Sequence, residues 1–170
     1  MKFIALLRGI NVSGQKIIKM VELKSLFEKC GFKNVVTYIQ SGNVIFETKE
    51  SNEKCIEKIQ TAICKKYKFE VEMIILDAKY LSDVIKKNPF TIRKDFDEIR
   101  MYVSFLNEIP AKEKLSELEK VNSGKDEWHF ENRQLYFYCP DGYGKTKFSN
   151  NLVENKLKVM ATTRNWNTIN

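Results

Sequence analysis

Histidine is nearly absent: His129 is the only one in 170 residues. A Cys/His zinc site and a Ser-His or Cys-His nucleophile system both need imidazole that this chain hardly offers. The four cysteines, Cys30, Cys55, Cys64 and Cys139, form no C-x-x-C pair. Cys30 and Cys55 fall on apolar helix faces and Cys139 ends an apolar run, so free thiols and no bound metal are expected. No uncharged apolar run reaches the roughly 18 residues of a membrane span, so no membrane segment is expected. The start, Met1 to Arg8, is too short for a signal sequence with its cleavage site and reads as a first strand. A cytoplasmic location is the expectation. Arginine is also scarce: Arg8, Arg93, Arg100, Arg133 and Arg164 are all that stand among 29 basic residues. Acidic side chains lie mostly on helix faces beside lysine, so the paired carboxylates of a glycosidase are missing.

What is present is a basic chain with ample apolar content. Net charge is +7 with a pI near 9.1, and 43% of residues are hydrophobic. The apolar share suffices for a core at this length. The charge permits an acidic partner such as nucleic acid. Because the excess is dispersed lysine, such binding is expected to be weak, salt-sensitive and sequence-independent. A Lys-, Ile- and Asn-rich composition also arises from codon bias.

The apolar pattern gives a repeated order of elements. Residues 3–7 read as a buried strand. Met20, Leu23, Leu26, Phe27 and Cys30 recur at helical spacing, with Gly31 as C-cap. Two β-branched runs, 35–40 and 44–48, flank the turn Ser41-Gly42-Asn43. Ser51 caps a helix whose core face is Cys55, Ile56, Ile59, Ala62 and Ile63. A strand at 71–76 completes β-α-β-β-α-β. A helix capped by Asp77 follows and is stopped by Pro89. Residues 90–97 are charged and irregular, the best linker in the chain. The order then recurs: a strand at 99–106, a helix with Pro110 at its first position, a hairpin around Asn132-Arg133, a helix with Phe148, Leu152, Val153 and Leu157, and a short strand at 158–161. The fold expected is α+β, two tandem ferredoxin-like (split βαβ) halves with mainly antiparallel sheets. A single larger α+β sheet is the alternative. The halves are 1–76 and 99–170, with a helix and linker at 77–98.

Three polar stretches are candidates for function. Arg8-Gly9-Ile10-Asn11 follows the first strand, and Gln40-Ser41-Gly42-Asn43 joins two others. In a split βαβ half both lie at one end of the sheet. Together they supply a cation, amides and a hydroxyl, suited to a phosphate, carboxylate or nucleobase edge. Ser-Gly-Asn is also a good turn by itself, and Asn11 and Gln40 are able to cap backbone, so both uses stay open. The third stretch holds Thr163, Arg164 and Asn165, placed after the last strand, with a threonine capping a terminal helix. If the halves share one site, Arg8 and Arg164 would hold one anion. A weaker candidate is the loop Gly142, Gly144, Lys145, read as opening a helix where anions gather. It is not a P-loop, because the first glycine of that pattern would fall on Cys139.

Leu6 to Val12, Ile18 to Met20, Thr37 to Val44 and Ala161 to Thr168 together resemble the bacterial domain-of-unknown-function family numbered 1697. The resemblance spans nearly the whole chain and is weakest over about 51–128. Ser13 stands where that family often has glycine, and the family usually continues its terminal helix further. The resemblance implies a cytoplasmic bacterial protein of two ferredoxin-like halves. It implies no established activity, cofactor or partner.

The reading these residues favour is a binding protein with a polar pocket for an anionic small molecule or nucleic acid, with no cofactor. Its ligand-binding residues would be Arg8, Asn11, Gln40, Ser41, Asn43, Thr163, Arg164 and Asn165. The alternative is a small enzyme acting on a phosphorylated or nucleotide-like substrate, with Arg8 and Arg164 stabilising charge. The motifs hold no acid, base or nucleophile beyond Ser41 and threonine hydroxyls.

Overall fold

The computed structural model describes residues 1–170. Internal contacts divide it into two compact units, Met1–Leu81 and Ser82–Asn170. In the first, β1 (Lys2–Leu7), α1 (Met20–Lys29), β2 (Lys33–Tyr38), β3 (Asn43–Glu47), α2 (Asn52–Tyr67) and β4 (Met73–Asp77) form one split βαβ unit. The sheet order is β2-β3-β1-β4, with every neighbouring pair antiparallel. The division between units falls inside the following helix, α3 (Ala78–Lys86), whose first turn is capped by Asp77 Oδ1 accepting from Tyr80 N at 2.7 Å.

Period-two alternation decides which side of the first sheet meets the helices. Phe3, Ala5 and Leu7 of β1 join Val44 and Phe46 of β3 in one core with Leu23, Leu26 and Phe27 of α1 and Cys55, Ile59 and Ile63 of α2. Phe32 and Phe46, 4.7 Å apart, anchor it with Phe27. Each such side chain contributes about 1.5–3 kcal/mol by leaving water. Helix α1 stops where Gly31 adopts φ 92°. Helix α2 starts at Ser51, whose hydroxyl accepts from Lys54 N, and ends at Lys68 in the left-handed region.

The second unit repeats the plan with β5 (Met101–Leu106), α4 (Lys112–Glu119), β6 (Glu127–Glu131), β7 (Gln134–Tyr138), α5 (Asn150–Leu157) and β8 (Ala161–Asn165), followed by the short α6 (Trp166–Ile169). Its sheet order is β6-β7-β5-β8, again antiparallel throughout. The fold is therefore α+β with two tandem ferredoxin-like halves. Leu106, Leu118, Leu135, Phe137, Phe148, Val153 and Leu157 make its helix-side core.

Five local expectations change. The last strand is Ala161–Asn165 rather than 158–161. Lys158 is the left-handed cap of α5, and Asn107 Oδ1 holds Met160 N, so the chain joins the sheet only at Ala161, opposite Leu106. The residue before α6 is then Asn165, not a threonine. Pro110 precedes the cap residue Ala111 and is not the first residue of α4. The loop at 140–147 does not open α5: Tyr143–Lys145 is an isolated 3-10 turn, and the helix begins after Ser149, whose hydroxyl accepts from Leu152 N. Finally, residues 90–97 are packed onto the second sheet. The Phe90 ring stacks on Tyr138 at 6.0 Å, and the Tyr138 hydroxyl donates to the Asp95 carbonyl. Arg93 binds both Asp95 and Glu127 with its guanidinium over the Tyr138 ring.

Candidate functional site

The antiparallel ladder carries the first two motifs to one sheet end. Leu7 N donates to the Gly42 carbonyl at 2.9 Å, and Arg8 N to the Glu72 carbonyl at 2.8 Å. The chain thus leaves β1 wedged between the β2–β3 turn and the start of β4. Asn11 then ties the loop to the turn. Its Nδ2 donates to the carbonyls of Ile18 and Gln40, each at 2.9 Å, and its Oδ1 accepts from Ile18 N at 2.8 Å. It does so from a left-handed backbone, φ 55°, which asparagine tolerates better than most residues. Gly42 has φ 77°, and a Cβ there would lie 2.7 Å from Ile10 Cδ1. Glycine is therefore required at this position twice over, by conformation and by space.

Asn43 is buried at the first position of β3. Its Nδ2 donates to the Tyr38 carbonyl at 3.2 Å and to Ser41 Oγ at 3.0 Å. Asn11 and Asn43 are thus committed to backbone and turn. Gln40 and Ser41 are exposed, and the Gln40 side chain makes no hydrogen bond within the chain. Arg8 is intermediate: its Nη1 donates to Glu72 Oε2 at 3.0 Å, with a quarter of its side chain exposed. Glu72 itself lines a hollow of about 750 Å³ bounded by Thr61, Lys65, Lys68 and Glu70. Lys16 Nζ reaches the Glu70 carbonyl at 2.7 Å on the same side.

The C-terminal residues occupy a strand in the second unit. Thr163 Oγ1 donates to Asn150 Oδ1 at 2.6 Å and lies 3.1 Å from both Ser104 Oγ and the Tyr143 hydroxyl. Arg164 points to the other face, 7% exposed, with Nη1 donating to Thr162 Oγ1 and the Thr163 carbonyl, each at 2.9 Å. Loss of water pushes the Arg164 pKa down to about 10. Asn165 is exposed. In the loop, Gly142 has φ 90°, and a Cβ there would come within 3.2 Å of Arg100 Nη1. Lys145 is exposed.

Sequence reasoning did not select Glu72, Arg100 or Lys65. The first two follow from register: Leu7 pairs with Met73, so Glu72 faces Arg8, and Met101 pairs with Tyr138, so Arg100 faces the turn after β7. Lys65 carries no local signal, being one of several exposed lysines on α2.

Fold and site together define a tandem ferredoxin-like protein with a polar, partly cationic loop cluster at one end of its first sheet. The chain belongs to the family described as protein of unknown function (DUF1697), whose model matches residues 1–136. The run at 161–168 lies beyond that match. The structure resembles that of conserved bacterial protein SP0830 from Streptococcus pneumoniae, with a TM-score of 0.78 and 22% identity over 99% of this chain and 94% of that one. At that identity the likeness is one of fold. No curated protein matches the sequence. No helix is long and apolar enough to cross a membrane.

Proposed function

We propose that the protein binds an anionic ligand, a small molecule or a nucleic acid, at the loop cluster of its first unit. One observation carries this reading. Asn11 spends its amide on closing its own loop at Ile18 and tying that loop to the Gln40 carbonyl, so Arg8 sits at the same sheet end as the exposed Gln40 and Ser41, and Glu72, which holds Arg8, lines a hollow of about 750 Å³. A fixed guanidinium, an uncommitted amide and a hydroxyl form a preorganised set for phosphate or carboxylate oxygens. Arg8 supplies the charge and Glu72 holds it in the absence of ligand. Gln40 and Ser41 supply neutral hydrogen bonds, while Asn11 and Asn43 act as positioning residues. In the second unit Arg100, Lys145 and the Gly142–Gly144 turn are a subsidiary anion-binding proposal, with Thr163, Arg164 and Asn165 as its C-terminal counterpart.

Thermal-shift screening with inorganic phosphate, nucleotides and short RNA tests the reading. A ligand at a hundred times its Kd stabilises the folded state by about 2.7 kcal/mol. Arg8→Ala should abolish that shift. Its own stability should change by only about 0–1 kcal/mol, the usual worth of a partly exposed ion pair. An undiminished shift in Arg8→Ala, or no shift with any of the three classes, contradicts it.

A further inference from the structure

Two exposed tips stand side by side at one end of the first sheet. The first belongs to the loop between β1 and α1. Gln15 N donates to the Val12 carbonyl at 2.9 Å and Asn11 N to the Lys16 carbonyl at 3.2 Å, which closes a small hairpin whose residues 12–17 are all exposed. The second is the β2–β3 turn, exposed from Tyr38 to Ser41. Asn11 joins the two through its bonds to Ile18 and to the Gln40 carbonyl. Each joined position has an exposed aliphatic neighbour: Val12 beside Asn11, Ile17 beside Ile18, and Ile39 beside Gln40. With Tyr38 they form an apolar group, each side chain 47–56% exposed. Ile39 is also held at φ 47°, a left-handed conformation that a β-branched residue adopts only at a cost. An isoleucine both half-exposed and strained does nothing for the core.

The charge carried by the tips has one sign. No acidic residue precedes Glu22, and residues 34–46 carry no charge at all, the longest uncharged stretch in a chain that is 30% charged. Lys16 and Lys19 are exposed, and Lys16 Nζ bonds a backbone carbonyl rather than a carboxylate. Glu22 is already held by Lys66 and Tyr67 of α2, and Glu72 by Arg8. Projecting aliphatic side chains, one tyrosine and a lysine rim select the partner. A second copy would set these lysines against themselves in a chain of net charge +7. A protein partner would have to offer a fitted pocket for each anchor. A bilayer moulds to whatever projects into it. Aliphatic groups enter the boundary of headgroup and acyl chain, tyrosine rests at headgroup level, and lysines meet anionic headgroups.

We infer that the two tips dock the protein on an anionic lipid bilayer, with Val12, Ile17 and Ile39 entering its surface and Lys16 and Lys19 supplying the charge. The contact is peripheral, since no helix is long and apolar enough to cross a membrane. It goes beyond the anion-binding reading: that site takes a soluble ligand through Arg8, whereas docking needs the aliphatic tips and a bilayer. Both apolar insertion and negative surface charge contribute, so neutral vesicles hold the protein weakly and salt weakens its hold on charged ones.

Co-sedimentation with phosphatidylcholine vesicles, with and without phosphatidylglycerol, tests this across a salt series. Wild type should sediment with the mixed vesicles and far less with phosphatidylcholine alone. Val12→Ser/Ile39→Asn should lose at least about tenfold in affinity, because two aliphatic side chains no longer leave water. Asparagine tolerates the left-handed backbone at position 39, so this variant should keep the wild-type thermal midpoint. Lys19→Gln should weaken binding about fivefold, the worth of one cation near an anionic surface. Arg8→Ala, which under the anion-binding reading loses its phosphate-induced thermal shift, should lose no more than that. Failure of wild type to sediment with mixed vesicles, or undiminished binding by folded Val12→Ser/Ile39→Asn, overturns the docking surface and leaves the phosphate-shift test of Arg8 standing. A larger loss in Arg8→Ala than in the tip variant places the lipid phosphate at the anion site and overturns it too. Soluble polyglutamate bound as tightly as mixed vesicles, with the same loss in the tip variant, overturns the bilayer in favour of an acidic protein.

Discussion

Replacing Asn11 separates what its side chain does from what its backbone does. Alanine removes two donated hydrogen bonds and one accepted bond. The Gln40 carbonyl lies at an exposed contact and regains water at little cost. The Ile18 N–H and carbonyl are partly buried, and their loss costs about 0.5–1.5 kcal/mol each. Alanine also has to occupy φ 55°, where a Cβ costs about 1–2 kcal/mol. The sum for Asn11→Ala is about 2–5 kcal/mol. Asn11→Gly loses the same hydrogen bonds without the conformational cost, so it should be the more stable of the two by about 1 kcal/mol. Urea unfolding of both variants, followed by far-UV circular dichroism, measures the difference directly. Equal stabilities, or Asn11→Ala within about 0.5 kcal/mol of wild type, would refute the lock. Either variant should also lose ligand-induced stabilisation, because Gln40 is no longer held.

Other consequences are separately measurable. Gly42→Ala drives a Cβ to 2.7 Å from Ile10 Cδ1 at φ 77°, so about 1–3 kcal/mol of overpacking is expected in chemical denaturation. Of the four free thiols only Cys64 is exposed. Cys139 is pushed up to about 12, first by burial and then by Asp126. Mass spectrometry after brief alkylation at mildly alkaline pH should find Cys64 labelled first and Cys139 protected until the chain unfolds. The Glu22 carboxyl is held below its usual range by hydrogen bonds from Lys66 and then Tyr67. A lowered folded-state pKa stabilises above the unfolded value of 4.5 and is lost as pH falls through the folded one. Glu22→Gln should therefore flatten the acid limb of stability against pH, seen as a smaller difference between melts at neutral and acid pH.

Much of the fold was legible because apolar periodicity and topology agree. Leu23, Leu26 and Phe27 recur at helical spacing, Phe3, Ala5 and Leu7 alternate on a strand, and the β-α-β-β-α-β order leads to one sheet order in both units. Topology alone also brought Arg8, Asn11, Gln40, Ser41 and Asn43 to one sheet end. Their division of labour was not legible. It depends on Asn11 reaching both Ile18 and Gln40, a contact across 29 residues that no local pattern encodes. The last strand was misplaced because Val159 and Met160 look as strand-like as Thr162 and Thr163, and the left-handed turn at Lys158 is settled by α5. The stretch at 90–97 looked like a linker because its charges suggested solvent. Arg93, however, is sandwiched between carboxylates and the Tyr138 ring.

The central claim is that an anion binds where the two loops meet. Amide chemical-shift mapping during titration with inorganic phosphate and then with a nucleotide tests it most directly. The predicted result is saturable shifts at Gly9, Ser41, Gly42 and the Gln40 side-chain amide, absent in Arg8→Ala. Saturable shifts confined to residues outside this cluster, or a response at these amides that survives Arg8→Ala, would contradict it.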